Sequence, residues 1–599
     1  MNLKARYILP RLGLILFPVL LIFLIEVGLR MVGIGSGARN AFVEIEGKSG
    51  YMAFNPDFSA RYFNGFVPSV AFNPFLKKKN PSVLRIVTLG GSSTAGFPYQ
   101  FYYGFPESVS RRLSSQLPDR TVEVINLGMT AINSYTLWDL RHDIASIDPD
   151  LVVIYAGHNE YYGSFGAGST LYSLGNRIEL KRLVLKLKRT AIFTGLETLL
   201  APSKKAGARD RGRSEESDRT LMAQVVRDAS IEYDDETFND GLQQFSENME
   251  DVVVSFQKDG IPVLIGSLVS NLSDQAPLGD NPASLQAFNQ GKDACLTQEC
   301  KMSAFESARD LDNIRFRAPK IFNDVLKSIA DRHKAGFVDL QPVFSSQSES
   351  GIPGSDLFID HLHPTQHGYE LMGAEFARAI LNQIEPTRNS APTLADVVLD
   401  PLESSHSALL IERLLADYPF YKDRSAEEMS KLSDELVSRY RFSGSFMDSL
   451  ASVMVSSPLT VSGALVKAIQ YEKTKALSKD ILLLYQALFY WQPFNTPLMQ
   501  EAVALGIQSE ELDPFTIGLA VFGANRSNDI YFWNALGALY LRSGGVSEAD
   551  AALAKAESLD PNSPVMLYNR ARLYLAQGDT AASQTYFMRY QALNSSTSN

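Results

Sequence analysis

The chain predicts a doubly wound α/β domain followed by an all-α domain, and three observations carry that expectation. Five short runs rich in Val, Ile and Leu recur with helix-length intervals between them: Leu84–Leu89, Val122–Leu127, Leu151–Ala156, Pro262–Leu268 and Phe337–Leu340. The runs are continuously apolar rather than alternating, so each is expected to be buried on both faces, and the intervening helices make the five-stranded sheet parallel. Beyond residue 395 no such run returns and the pattern becomes helical. At 599 residues the chain also exceeds the roughly 150 residues of an average domain.

Residues 1–35 come first in the chain and set the expected compartment. Lys4, Arg6 and Arg11 flank an apolar segment from Leu12 to Ile25, which Val27 to Ile34 extends with only Glu26 and Arg30 interrupting. This approaches the roughly 20 residues that cross a bilayer. A basic flank stays cytoplasmic, so the remainder is expected outside it. We read the segment as a transmembrane signal anchor, which places the rest on the periplasmic side of a bacterial inner membrane as a single-pass protein. A cleaved signal peptide processed at Ser36-Gly37-Ala38 is the alternative. A third reading is a cytoplasmic protein with a buried amino-terminal helix. Glu26 is costly in an apolar segment, and Arg30 one turn on offsets it.

Residues 36–81 are rich in Asn, Pro and aromatics without periodicity, and predict an irregular connecting segment lying over the next domain. The α/β domain is expected over 82–385. Its first strand runs into Gly90-Gly91-Ser92-Ser93-Thr94, so a serine hydroxyl stands at the carboxyl edge of the sheet, where doubly wound domains place their sites. After the fifth strand comes Asp360-His361-Leu362-His363-Pro364. A serine at a strand end, with an Asp and a His three residues apart on one late loop, supplies nucleophile, base-orienting carboxylate and general base for acyl-ester chemistry.

Each of these has a bland counterpart: Gly-Gly-Ser as a turn and helix cap, Gly128 as a turn glycine, and His361, His363 or His367 as surface histidines. Rival motifs fail on specifics. A phosphate-binding loop needs Gly-Lys-Ser/Thr, and no lysine follows Gly96. A nucleophile elbow centred on Ser93 lacks its second glycine. His142 and His158 have no partners at metal-ligand spacing. The formal net charge of -11 argues against a nucleic-acid partner.

Four strand ends thus carry Ser92, then Gly128 in Asn126-Leu127-Gly128, then Asn159 in Gly157-His158-Asn159-Glu160, then Asp360 and His363. In this order the chain resembles the SGNH superfamily, also called GDSL hydrolases, over about Leu84 to Ile384. The resemblance implies a flavodoxin-like fold in which Ser92 attacks the acyl carbonyl, His363 takes its proton and Asp360 orients His363. It further implies an oxyanion hole made by the backbone N–H of Ser92, the backbone N–H of Gly128 and the side-chain amide of Asn159, and no cofactor or metal. The anchor and the carboxyl-terminal repeats resemble a bacterial membrane-attached subgroup. Two positions depart from the pattern: Gly91 stands where an aspartate commonly precedes the serine, and Glu160 where Asp is frequent after the asparagine.

Two insertions leave strand carboxyl ends and are expected to flank the site. The first, 163–245, contains Asn176 to Arg189, helix-compatible with a basic face. That face reads either as an element near an anionic membrane or polymer or as ordinary solvated charge. Pro202–Arg219 is almost free of apolar residues and predicts a mobile loop. The second, 270–318, holds Cys295 and Cys300, a pair spaced for a small disulfide loop in an oxidising compartment, or two free thiols otherwise. Asn271 is placed to line the pocket. Arg317, in Arg315-Phe316-Arg317, either reaches an anionic group of the substrate or forms an interdomain ion pair.

A linker is expected over 386–394 and a helical domain over 395–599. Within it, residues from about 530 to 597 fit tetratricopeptide-like repeats: Trp533, Leu536, Gly537, Tyr540, Gly544, Ala549, Ala556 and Pro561 partly recur 34 residues on. Such repeats either dock a protein partner or only buttress the enzyme. The whole predicts an exported serine ester hydrolase acting on an acyl ester or acylated glycan. Transfer of the acyl group to a cell-surface polysaccharide is one alternative. A repeat scaffold with a vestigial hydrolase fold is the other.

Overall fold

The five apolar runs form strands in which nearly every side chain is buried. A computed structural model describes residues 17–18, 20–34, 40–63, 68–117, 120–169, 177–200, 230–386, 397–421, 425–475, 479–509, 514–527 and 529–596. In it β4 (Val83–Gly90), β5 (Thr121–Asn126), β6 (Leu151–Tyr155), β7 (Val263–Gly266) and β8 (Gly336–Val338) make one sheet in the order β5-β4-β6-β7-β8. Every pairing is parallel, with Thr88 opposite Asn126 on one side and Val153 on the other. The chain steps from β4 outward to β5 and returns to the far side of β4 as β6. That reversal opens a crevice at the carboxyl ends of β4 and β6, where a doubly wound sheet places its ligand.

The helices of this unit are α1 (Ser92–Ala95), α2 (Phe105–Gln116), α3 (Ser134–Ala145), α4 (Ile178–Leu187), α5 (Ala191–Leu200), α6 (Glu236–Lys258), α7 (Pro282–Asn289), α8 (Gln298–Leu311), α9 (Lys320–His333), α10 (Gln341–Gln347) and α11 (Gln366–Ile384). Of these, α1, α2, α3, α6, α9 and α11 pack against the sheet. Phe105, Tyr155 and Phe376 meet edge to face or tilted across the sheet. Asn133 caps α3 by accepting from Tyr135 N, and Thr365 caps α11 by accepting from Gly368 N. Cys295 and Cys300 are joined by a disulfide between α7 and α8.

The segment expected to be irregular contains regular structure. Phe42–Glu44 (β1), Tyr51–Phe54 (β2) and Phe75–Leu76 (β3) pair antiparallel as a small separate sheet. Its aromatics, Phe42, Phe54, Phe58, Tyr62 and Phe75, join the main core. Arg61 and the Tyr62 hydroxyl both donate to Asp139 of α3, at 3.1 and 2.8 Å.

Residues 20–31 are helical, and Leu20 through Ile25 all expose their side chains. Among the described residues no helix is long and apolar enough to cross a membrane. The transmembrane reading falls partly on residues 1–16, outside the described residues, as do the loop at 202–219 and most of the linker at 386–394.

The chain divides into two compact units, 1–399 with 405–445, and 400–404 with 446–599. The first thus extends past the expected boundary at residue 395. The second is helical, and its last four helices, Ile530–Ser543, Val546–Leu559, Pro564–Ala576 and Thr580–Ser596, form two hairpins. A side chain on Gly537 would meet Leu553 Cδ2 at 2.4 Å, so glycine here lets the first two helices of these hairpins close on each other.

Candidate active site

β4 ends at Gly90, and the chain turns at once into α1 with Ser92 at its first position. The turn needs glycine because a Cβ on Gly90 would lie 2.0 Å from Tyr155 O and 2.1 Å from Thr94 Oγ1. Thr94 Oγ1 donates to that same carbonyl at 3.1 Å, which ties the short helix to β6. The backbone N–H of Ser92 makes no hydrogen bond among the described residues. It is one of the orphan donors that every helix start leaves.

The partner groups arrive from a tight loop closed by a bridge between Phe358 and Pro364. His363 Nε2 stands 2.7 Å from Ser92 Oγ, and His363 Nδ1 stands 2.6 Å from Asp360 Oδ2. The other carboxylate oxygen, Oδ1, accepts from the backbone N–H of Leu362 and of His363, at 2.9 and 2.8 Å. Burial alone would raise the Asp360 pKa, but the adjacent His363 and His361 hold it well below the ordinary carboxylate range. All three side chains are buried. With Asp360 anionic, His363 carries its proton on Nδ1 and presents Nε2 as acceptor to the serine hydroxyl.

Asn159 brings its amide to the same edge. Its Nδ2 lies 2.9 Å from where a Cβ on Gly91 would stand, and the amide makes no hydrogen bond among the described residues. Ser92 N–H and Asn159 Nδ2 therefore remain unengaged beside the nucleophile. Gly128 differs: its N–H donates to Asn126 Oδ1 at 2.8 Å and is already engaged. A Cβ on Gly128 would meet Ala95 N at 2.3 Å, so glycine lets the end of β5 reach α1.

Asn271 and Arg317 both spend side-chain donors inside the protein. Asn271 Nδ2 donates to Asp360 O at 3.1 Å and its backbone N–H to His361 O at 3.0 Å, so it braces the catalytic loop from behind. Arg317 is buried, donates to Asn271 O and Gln275 O, and pairs with Asp312 at 3.3 Å. The guanidinium extends that brace inward, where the sequence allowed it to reach outward.

Several neighbours of the site were given no role there by the sequence. His361, expected at the surface, is buried between Phe316 and Phe420 with its Nδ1 3.3 Å from Asp360 Oδ1. Asp360, His361 and His363 are also a set with metal-ligand spacing among the described residues. A metal there would have to take the place of the hydrogen bond between His363 and Asp360. Phe97 lies against the His363 ring at 4.6 Å between centroids. His158 Nδ1 accepts from Ala318 N at 3.2 Å, and burial pushes its pKa down to about 3. Glu160 accepts from Ser134 N and Ser134 Oγ at the start of α3, and burial pushes its pKa up to about 8.

A tetratricopeptide repeat model matches residues 565–597. No curated protein matches the chain. Similar solved structures include a GDSL-like lipase from Bacteroides thetaiotaomicron, at 15% identity and TM-score 0.27 over 52% of this chain and 93% of that one. A lipase/acylhydrolase from Enterococcus faecalis aligns at 18% identity and TM-score 0.26 over 52% and 100%. A catalytic mutant of an acetylxylan esterase from Geobacillus stearothermophilus aligns at 13% identity and TM-score 0.27 over 52% and 97%.

Proposed function

We propose that the chain is a serine-dependent carboxylic-ester hydrolase, held to a membrane by its amino-terminal helix and acting outside the cytoplasm. The observation that carries the chemistry is the continuous relay from Ser92 Oγ through His363 to Asp360 Oδ2, at 2.7 and 2.6 Å. His363 Nε2 accepts the serine proton as Oγ bonds to the acyl carbon. The carbonyl oxygen gains negative charge and is held by Ser92 N–H and Asn159 Nδ2. Collapse of this intermediate breaks the ester bond, and His363 returns the proton to the leaving alcohol. A water then repeats the sequence on the acyl-enzyme, releasing the acid and restoring Ser92.

The anchor reading is supported by a helix that exposes Leu20 through Ile25 around its whole circumference, a surface suited to lipid rather than water. Intact mass after treatment with a fluorophosphonate ester tests the nucleophile. One adduct on the wild type and none on Ser92→Ala is expected; an adduct on both would refute the assignment.

A further inference from the structure

Helix α4 is amphipathic in the inverted sense. Its Lys181 and Arg182 are 1% and 7% exposed, whereas Leu180, Leu183 and Leu187 are 37%, 49% and 41% exposed. Spacings of three and four residues put these leucines on one stripe. The buried charges are satisfied within the protein: Lys181 Nζ donates to Gln244 at 3.1 Å, and Arg182 binds Asn248 and pairs with Asp251 at 2.9 Å. Lys181 and Arg182 of the basic face thus point into the fold, while Leu180, Leu183 and Leu187 point out beside the exposed Glu179 and Lys186.

What covers that stripe is indicated by its neighbour. Glu26, on the exposed apolar amino-terminal helix, accepts from the N–H groups of Ala191 and Ile192 at 2.9 and 3.0 Å, and from Arg30 at 2.6 Å. Ala191 and Ile192 open α5, so the Glu26 carboxylate caps the start of another helix. A Cβ at Gly195 would come within 3.4 Å of Ile34, so α5 lies alongside the outer end of the same helix. Between α4 and α5, Arg189 pairs with Asp139 and Asp143 at 2.8 and 2.7 Å, tying the connection between the two helices to α3.

We propose that α4 and α5 form a hairpin lying in the outer headgroup layer of the phospholipid bilayer, with Leu180, Leu183 and Leu187 turned into the acyl boundary. The hairpin is a second membrane contact, distinct from the spanning helix and resting on the anchor reading above. Interfacial helices of this kind sink their apolar face by about 5–10 Å. The catalytic unit is thereby held against the lipid surface instead of hanging from a tether.

The test uses the full chain in vesicles of phosphatidylethanolamine and phosphatidylglycerol, with an environment-sensitive fluorophore on one introduced thiol. The two native cysteines are paired, so Leu183→Cys, Leu187→Cys, Ser328→Cys and Ile22→Cys each offer one reactive site. Probes at 183 and 187 should lose about half their emission to lipid spin-labelled near the headgroup, and less to lipid labelled deep in the chain. The probe at 22 should show the reverse depth preference, and that at 328 no quenching.

Unquenched probes at 183 and 187 with a quenched probe at 22 would overturn the hairpin and leave the anchor standing. Unquenched probes at all four positions would overturn both. Blue-shifted but unquenched emission at 183 that reverts on dilution would assign the stripe to a second copy of the chain and overturn the proposal. Ester turnover by each labelled variant verifies that the fold is intact.

Discussion

Asp360 does two jobs with two oxygens, one facing His363 and the other held by two backbone amides, and the most specific prediction follows from that division. Asp360→Asn keeps the size but can present an N–H to His363 Nδ1, which favours the wrong tautomer; kcat should fall by about 10⁴-fold with little change in KM. Asn159→Ala should lower kcat by about 10²–10³-fold, because its amide is aimed at charge that exists only in the transition state. Gly128→Ala should also lower kcat, for a different reason. Its Cβ would press on Ala95 N from 2.3 Å, so the melting temperature should fall with the activity. Steady-state kinetics beside thermal melts separates the two cases, since Asn159→Ala should leave the melt unchanged. At this scale the sequence picked out Ser92 by its place after β4 and Asp360 with His363 by their three-residue spacing, and the structure brings all three within hydrogen-bond distance. The sequence concealed the burial of His361, which depends on Phe420, a residue far along the chain that local pattern does not connect to it.

The strand-to-helix connection after β6 holds two buried titratable groups whose pKa values have moved in opposite directions. His158 is pushed down to about 3 from 6.5, so the unfolded chain binds the extra proton first, and stability is lost as pH falls from 6.5 toward 3. Glu160 is pushed up to about 8 from 4.5, so the folded state keeps a proton that the unfolded chain releases, and stability is lost as pH rises from 4.5 toward 8. Glu160→Gln removes the second loss and should raise the melting temperature by a few degrees at pH 8 with little gain at pH 5; equal melts at both would count against the assignment. The same scale shows what periodicity can and cannot reveal. The five parallel strands were legible because a short, continuously apolar run between helix-length intervals fits little besides a strand covered on both faces. Strands β1 to β3, of two to four residues each, are too short to display a period and exist through aromatic packing against the core. In α4 the period was legible but its sense was not, because Gln244 and Asn248 of α6 receive the charges that would otherwise face water.

In the molecule as a whole, the helical unit carries its own stability determinants. Gly537→Val should overfill the contact with Leu553 and cost about 1–3 kcal/mol, visible as a lowered helical melting transition. Ester turnover at a temperature below that transition should be retained. The end of the strand pattern was legible, but the chain's return through 405–445 to the first unit was not, because helical sequence alone does not say which core a helix joins. Ser92 and His363 are 271 residues apart, and their hydrogen bond bridges a separation that takes in most of the first unit. Contacts of such separation bear a large chain-closure entropy and form late. Catalytic competence is therefore a timer for completed folding: a nascent chain stays chemically latent until its fifth sheet strand and the loop after it are made. On refolding, turnover should return after far-ultraviolet dichroism has recovered.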